Sequence, residues 1–234
     1  MFFPKKRLIC LLVTVFLLLS CTPVRVAAAE HRPILILDAG HGGEDGGAVS
    51  ADGIPESGIN LQITKKVQWL LLLLGYDTLL TREGEDAVYS PEAATLREKK
   101  VSDLNNRVSL INGTETAFVI SIHQNSLPSH PRVHGAKVFY NTVQPAERAG
   151  NAVQGTLNLA VNAGNERPVT AIDSTIYLMK ESIHPAILVE CGFMSNPEEC
   201  KKLQDSAYQL RLSVAVTAGF AQFDTAEHRS IYEE

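Results

Sequence analysis

Cysteine is scarce in this chain of 234 residues. There are four, and Cys10 and Cys21 fall within the first thirty positions. The remaining two, Cys191 and Cys200, match no zinc-finger spacing. An oxidising compartment would permit a disulfide between them, but they read more simply as small buried hydrophobes. Basic residues are also in deficit, 21 Lys and Arg against 26 Asp and Glu, which argues against nucleic acid as a partner. No internal repeat and no low-complexity linker interrupts the chain. Long apolar runs are missing too. The most apolar stretch, residues 8–19, falls short of the roughly 20 residues that span a bilayer.

What is present at the N-terminus is an export pattern. Lys5-Lys6-Arg7 precedes the apolar stretch, and Ala27-Ala28-Ala29 follows it with the small residues that signal peptidase accepts. This predicts a signal peptide over 1–29, cut near Glu30, with an uncleaved anchor as the alternative. Leu18-Leu19-Ser20-Cys21 loosely resembles a lipoprotein box, which would place a lipid on Cys21. Leu19 is unusual in its slot. Membrane association is expected only through this segment. Cleavage would leave about 205 residues, enough for one domain with a full core. Loss of Lys5, Lys6, Arg7 and Arg25 would take the formal charge from -5 to about -9.

Strands and helices then alternate. Apolar runs predict strands over 33–38, 76–80, 118–122, 136–140, 175–179 and 186–190. Helices are expected over 57–74, 103–111, 146–161 and 206–223. A further helix is capped by Asn196 with Pro197 at its first position. Residues 69–74 are apolar all round, so that end of the first helix is expected to be deeply packed. Residues 82–101 read as an irregular, charged connection, 162–174 as a surface loop, and 225–234 as a loose tail. The pattern implies a single α/β domain over 30–224. Its core would be a mostly parallel open sheet of about six strands with helices on both faces.

The chemistry lies where polar residues interrupt the strands. Ile34-Leu35-Ile36-Leu37 runs into Asp38-Ala39-Gly40-His41-Gly42-Gly43. Phe118-Val119-Ile120 runs into Ser121-Ile122-His123-Gln124-Asn125. Ala186-Ile187-Leu188-Val189 runs into Glu190-Cys191-Gly192-Phe193. In an open parallel sheet, ligands collect beyond the carboxyl ends of the strands. Two imidazoles and a carboxylate should therefore meet there, the raw material of a metal-dependent hydrolase. A phosphate-cradling role for the glycine-rich turn is excluded, because no Lys-Ser/Thr follows it and Glu44 and Asp45 make it acidic. Glu56 follows Pro55 at a helix start, where a carboxylate stays ionised. The turn leads directly from His41 to Glu56 and could fold both onto one ion. Two His and one carboxylate with an open fourth position form a catalytic zinc set, and zinc so held acidifies water. Glu190 is then free to act as general base, with a fourth ligand or a salt-bridge partner as the alternative. Asn125 orients a ligand or substrate, or is a structural turn residue. Arg82 meets a substrate carboxylate at the rim, or pairs with a nearby acid. His134 and His184 read as packing or surface residues, and His31, His130 and His228 carry no signal.

Taken together, these motifs resemble the zinc-dependent N-acetylmuramoyl-L-alanine amidases, bacterial cell-wall hydrolases, over residues 34–223. The resemblance rests on Leu37-Asp38-Ala39-Gly40-His41-Gly42-Gly43, Glu56, Ser121-Ile122-His123-Gln124-Asn125 and Val189-Glu190-Cys191-Gly192-Phe193-Met194-Ser195-Asn196. It implies Zn2+ held by His41, Glu56 and His123, with Glu190 as catalytic acid/base. The implied substrate is peptidoglycan, cut between the lactyl group of N-acetylmuramic acid and L-alanine. Thr81-Arg82-Glu83, Leu104-Asn105-Asn106-Arg107 and Ile176-Tyr177-Leu178-Met179 are similar to the CwlD-like sporulation cortex subgroup. That implies action before muramic-lactam formation, in the cell wall or forespore intermembrane space, with an activating partner protein left open. Gln124 and Cys191 stand where a small residue and Leu are commoner. Two other readings remain at this point: a zinc carboxypeptidase using Arg82 or Arg107 for the terminal carboxylate, and a non-catalytic wall-binding module.

Overall fold

The computed structural model describes residues 32–172 and 175–232, so the signal peptide expected over 1–29 lies outside the described residues. Twelve elements follow in order: β1 (Ile34–Ala39), α1 (Glu56–Leu73), β2 (Thr78–Leu80), α2 (Leu96–Gly113), β3 (Ala117–Asn125), β4 (Lys137–Tyr140), α3 (Ala146–Ala160), β5 (Thr170–Ala171), α4 (Tyr177–Glu181), β6 (Ala186–Phe193), α5 (Pro197–Leu203) and α6 (Ser206–Tyr232). The strands form one sheet in the order β2-β1-β3-β6-β4-β5. The pairings β1–β2, β1–β3, β3–β6 and β4–β5 are parallel, and β4 runs antiparallel to β6.

β1, β3 and β6 occupy the middle of the sheet and are almost wholly buried. That is why they read as continuous apolar runs and not as alternating ones. One face of the sheet packs on α1, α3 and α6 through Leu35, Ile63, Phe118, Val153 and Phe220. The other packs Ile36 and Val119 against Ile111 of α2 and against Leu178 and Met179 of α4. The expected α/β architecture, a mostly parallel sheet with helices on both faces, is the one observed. Among the described residues no helix is long and apolar enough to cross a membrane.

Several local expectations are corrected. Residues 175–179 are not a strand. Tyr177–Glu181 forms the short helix α4, which buries Leu178 and Met179 while Lys180 and Glu181 pair at the surface. The edge position is taken by Thr170–Ala171, within the expected loop. α2 begins at Leu96, seven residues early, because Thr95 and Glu98 form a reciprocal capping box. That exposed first turn has no apolar period to betray it. α6 continues to Tyr232, so the stretch from Thr225 is helical and not a loose tail as far as that residue. Finally, the apolar end of α1 is not deeply packed. Trp69 is 67% exposed and Leu73 80%, while Leu71 alone in that last turn is buried.

Beneath the carboxyl ends of β1 and β3 lies a buried ion pair. Arg107 of α2 donates from Nη1 to Asp38 Oδ1 at 2.7 Å and from Nε to Asp103 Oδ2 at 2.8 Å. Thr81 and Ser121 hydroxyls donate to the two oxygens of Asp38. Burial by itself would raise the Asp38 pKa, but the charges of Arg107 and His123 and these hydrogen bonds hold it at about 2. The stability this contributes is present above the ordinary aspartate value near 3.8 and is lost as pH falls through about 2. Arg107→Met strands a buried carboxylate. It should lower unfolding free energy in urea by about 3–5 kcal/mol at neutral pH, with a deficit that narrows in acid as Asp38 protonates. A variant as stable as its parent would remove the pair from this role.

Candidate metal centre

The site begins where β1 ends. The loop after Ala39 turns sharply, with His41 itself at φ 60°, a conformation uncommon for a residue with a side chain. His41 is held there from behind, because Arg107 Nη2 donates to its carbonyl at 2.8 Å. The loop then doubles back. Ser57 N–H donates to Gly46 O and Glu56 N–H to Ala48 O, so the start of α1 is drawn against the loop that carries His41. Two glycines make the approach sterically feasible. A Cβ on Gly47 would lie 2.2 Å from Glu56 Oε1 and 2.6 Å from His41 Cδ2. A Cβ on Gly40 would lie 2.2 Å from His123 Nε2.

His41, Glu56 and His123 come together as expected, each offering a ligand atom within 4.8 Å of the others. His41 Nε2 is 2.9 Å from Glu56 Oε1, and His123 Nδ1 is 4.0 Å from Glu56 Oε2. The imidazole rings meet edge to face, with centroids 4.9 Å apart. Glu56 is 3% exposed and accepts from Ala48 N–H at 3.0 Å, Gln124 N–H at 2.6 Å and Asn60 Nδ2 at 3.3 Å. Burial pushes its pKa up, but the bond to His41 and the charges of both histidines outweigh that and keep it ionised. Burial also pulls His41 down, yet hydrogen bonds and charge from Asp45 and Glu56 lift it to about 9. His123 is lowered, chiefly by burial.

Glu190 sits beside this cluster, as the direct cross-strand partner of His123. Its Oε2 is buried and has no hydrogen-bond partner among the described residues. Burial, and then the negative charge of Glu56, push its pKa up to about 8. A buried carboxylate oxygen without a partner, next to three converging ligand atoms, fits a bound cation. So does the donor set, two imidazoles and one carboxylate.

The other expected site residues fall elsewhere. Arg82 is 3% exposed and neither faces a rim nor pairs with an acid. It donates to the carbonyls of Ala39, Gly84, Gly40 and Ser57. Arg107 is equally committed, so neither arginine is available for a terminal carboxylate, and the carboxypeptidase reading loses its cation. Asn125 ends β3 and accepts from the N–H of Ser126 at 2.7 Å. Cys191 and Cys200 are free and buried, with the Cys191 thiol pushed far up by burial. His134 and His184 bond backbone carbonyls.

Asp45 was missed as a site residue. Its Oδ2 lies 2.9 Å from His41 Nδ1, which leaves Nε2 as the ligand atom and fixes the ring, as a carboxylate behind a metal-bound histidine does. The sequence signal was the four-residue offset from His41, visible only as an acidic loop.

Comparisons with known proteins give the family. The family described as N-acetylmuramoyl-L-alanine amidase matches residues 35–222, and the chain belongs to that family. The germination-specific N-acetylmuramoyl-L-alanine amidase of Bacillus subtilis (strain 168) is 31% identical over 192 residues, 82% of this chain and 80% of that protein. The CwlD amidase from Clostridioides difficile, solved in complex with the GerS lipoprotein, is 36% identical with a TM-score of 0.79, covering 83% of this chain and 100% of that one. The amidase AmiC2 of Nostoc punctiforme is 26% identical with a TM-score of 0.70, covering 82% and 97%.

Two outcomes follow from the site's electrostatics. A metal must displace the proton on His41 Nε2, so affinity for a divalent cation, measured by chelator competition, should rise by about tenfold or more per pH unit up to about 9. A flat profile would show that no such proton is displaced. Asp45→Asn should weaken zinc binding about 10–100-fold without unfolding the domain. Unchanged affinity would leave Asp45 as a surface acid.

Proposed function

We propose that this chain is a zinc-dependent hydrolase. It cuts the amide between the lactyl group of N-acetylmuramic acid and the L-alanine of a peptidoglycan stem peptide. The observation that carries the reading is the pairing of His41, Glu56 and His123 with the partnerless buried oxygen of Glu190, in a chain that belongs to the amidase family.

His41, Glu56 and His123 would hold the zinc, which when bound would polarise the scissile carbonyl and acidify nearby water. The rest falls to the chain. Glu190 takes a proton from the attacking water and delivers it to the departing alanine nitrogen. Burial raises the Glu190 carboxyl in the metal-free site and a bound cation would favour its charged form, so it can serve as base in the first half and acid in the second. Asp45 keeps His41 in one tautomer. The ion pair beneath fixes the carbonyls of Ala39 and His41, and so the stretch of backbone that carries the ring.

Similarity to the germination-specific amidase and to the CwlD amidase supports a role in spore cortex, stripping stem peptides before muramic-lactam formation. Cell-wall amidases act outside the cytoplasm, and the pattern over residues 1–29 would export this one. The CwlD amidase was solved with a lipoprotein, which supports a partner protein here as well.

Mass spectrometry of products from purified peptidoglycan, with and without a chelator, tests the reaction. Intact stem peptides beginning at L-alanine are expected, and they should vanish on chelation. Release of single D-amino acids would sink the amidase reading. Glu190→Gln should keep its zinc and slow turnover by about 10²–10⁴-fold; a full rate in that variant would assign the proton transfer elsewhere.

A further inference from the structure

We propose that the end of the domain opposite the metal cluster is a membrane-docking face. Its exposed apolar residues at the foot of α1 would rest in the interfacial layer of a lipid bilayer. α1 descends from Glu56, at the cluster, to Leu73, at the end of the sheet where β1 and β3 begin. Its last turn and a half carries no charge. Trp69, Leu72, Leu73 and Leu74 are 67%, 44%, 80% and 52% exposed. From the other face of the sheet, Ile183, three residues before β6, adds a further side chain 63% exposed at the same end. Large apolar side chains are exposed elsewhere too, Leu96 and Leu159 among them, but four within six consecutive positions, one of them an indole, mark a contact surface.

The pattern along α1 says what kind of contact. Lys65, Trp69 and Leu73 are spaced four apart, all exposed, and so lie on one stripe. With about 6 Å between successive members, they run cation, indole, aliphatic toward the foot. A bilayer presents the same order from outside inward: phosphates, the interfacial belt that tryptophan prefers, then acyl chains. The chain outside the described residues argues for the same occupant. β1 begins at Ile34, at that foot, and the apolar stretch at 8–19 precedes it by a linker of roughly 50 Å at full extension. Either anchor, that stretch or a lipid on Cys21, would join the domain at the foot, where β1 begins. β3 spans about 30 Å, so the metal cluster would face away from the bilayer, toward the wall. The exposed charges at the foot are of both signs, Arg32 against Asp77 and Glu115, which fits a zwitterionic surface and not a strongly anionic one.

Trp69 is the only tryptophan in the chain, so its fluorescence reports this face alone, whatever the N-terminal segment does. The full chain is mixed with phosphatidylcholine vesicles, with and without brominated acyl chains. The expected result is a blue shift of Trp69 emission, a severalfold drop in acrylamide quenching and strong quenching by the bromolipid, all little changed by salt. The exposed pair variant L73E/L74E should lose the bromolipid quenching while cleaving soluble muropeptides at the parent rate. An emission that vesicles leave unchanged and acrylamide-accessible would overturn the proposal. So would a blue emission without vesicles that grows with protein concentration, which would mean a second copy on the face. A blue emission already present without vesicles at every protein concentration, and abolished by removing residues 1–29, would mean the chain's own segment sits there, and would overturn it equally. Shift and quenching that require anionic lipid would overturn the zwitterionic surface assigned here.

Discussion

The ion pair between Asp38 and Arg107 is the constraint on which the metal centre depends. Both side chains are about 2% exposed, and a pair so deeply buried gains little net stability from its own attraction. Its value is positional. Arg107 spends its donors on Asp38, Asp103, Ala39 O and His41 O. Arg82 reaches the same stretch from the other side and takes Ala39 O and Gly40 O. Two guanidinium groups thus hold the carbonyls of three consecutive residues, 39 to 41. Guanidinium suits this because its planar fork offers several donors in a fixed geometry. With those amide planes fixed, His41 is kept in its left-handed conformation and its ring is aimed at Glu56. Cations beneath a cation site would repel its occupant, and Asp38 and Asp103 offset most of that charge.

The protonation states form one coupled system. Glu56 is ionised because two histidines and two backbone N–H groups face it, despite its burial. That negative charge raises His41 and also raises Glu190. In the metal-free protein the protons on His41 and Glu190 therefore stand in for a cation. A divalent ion would take over the attraction of Glu56 and discharge His41, while favouring the charged form of Glu190. Acquisition of the ion and readiness of the base are then two faces of one electrostatic change, set by how far Glu56 is kept from water.

Much of this was legible in the sequence, for reasons that differ by residue. His41, His123 and Glu190 were visible because each ends a run of apolar residues that only a central parallel strand requires, and the sheet order does bring those three strands side by side. Glu56 was visible because Pro55 and the glycine-rich loop mark a helix start within reach of His41. Asp45 and Arg82 were misjudged because their partners are set by loop closure, which no periodicity encodes. Arg82 looked like a rim residue from its place after β2. Its bonds to the Gly40 and Ser57 carbonyls exist only because the loop at 40–57 folds back over it. Residues 175–179 looked like a strand from Thr175-Ile176, but the choice was made by what lies underneath: Leu178 and Met179 fill a hollow against Ile111 that a flat edge strand would leave open. The start of α2 is hidden in the sequence because a capping box is a polar signal within a charged stretch.

α1 carries the two extremes of the molecule on one rod. At its head a carboxylate is almost fully buried, where the helix N-terminus and two histidines stabilise its charge. At its foot, large apolar side chains are left in solvent after Gly75, at φ 81°, ends the helix. Hydrophobic burial explains the middle of α1, where Ile59, Ile63 and Val67 face the sheet, but neither end. A sequence shaped only for folding would exchange them, with a polar foot and an apolar head. The head departs from that rule because a cation site needs charge in a sheltered place. The foot departs from it on the exposed side of the helix, where folding makes no demand for Trp69 or Leu73. Residues that folding leaves unconstrained, yet that are apolar in a continuous stripe, are explained by a surface outside the domain, and the same helix then sets the distance between that surface and the metal centre.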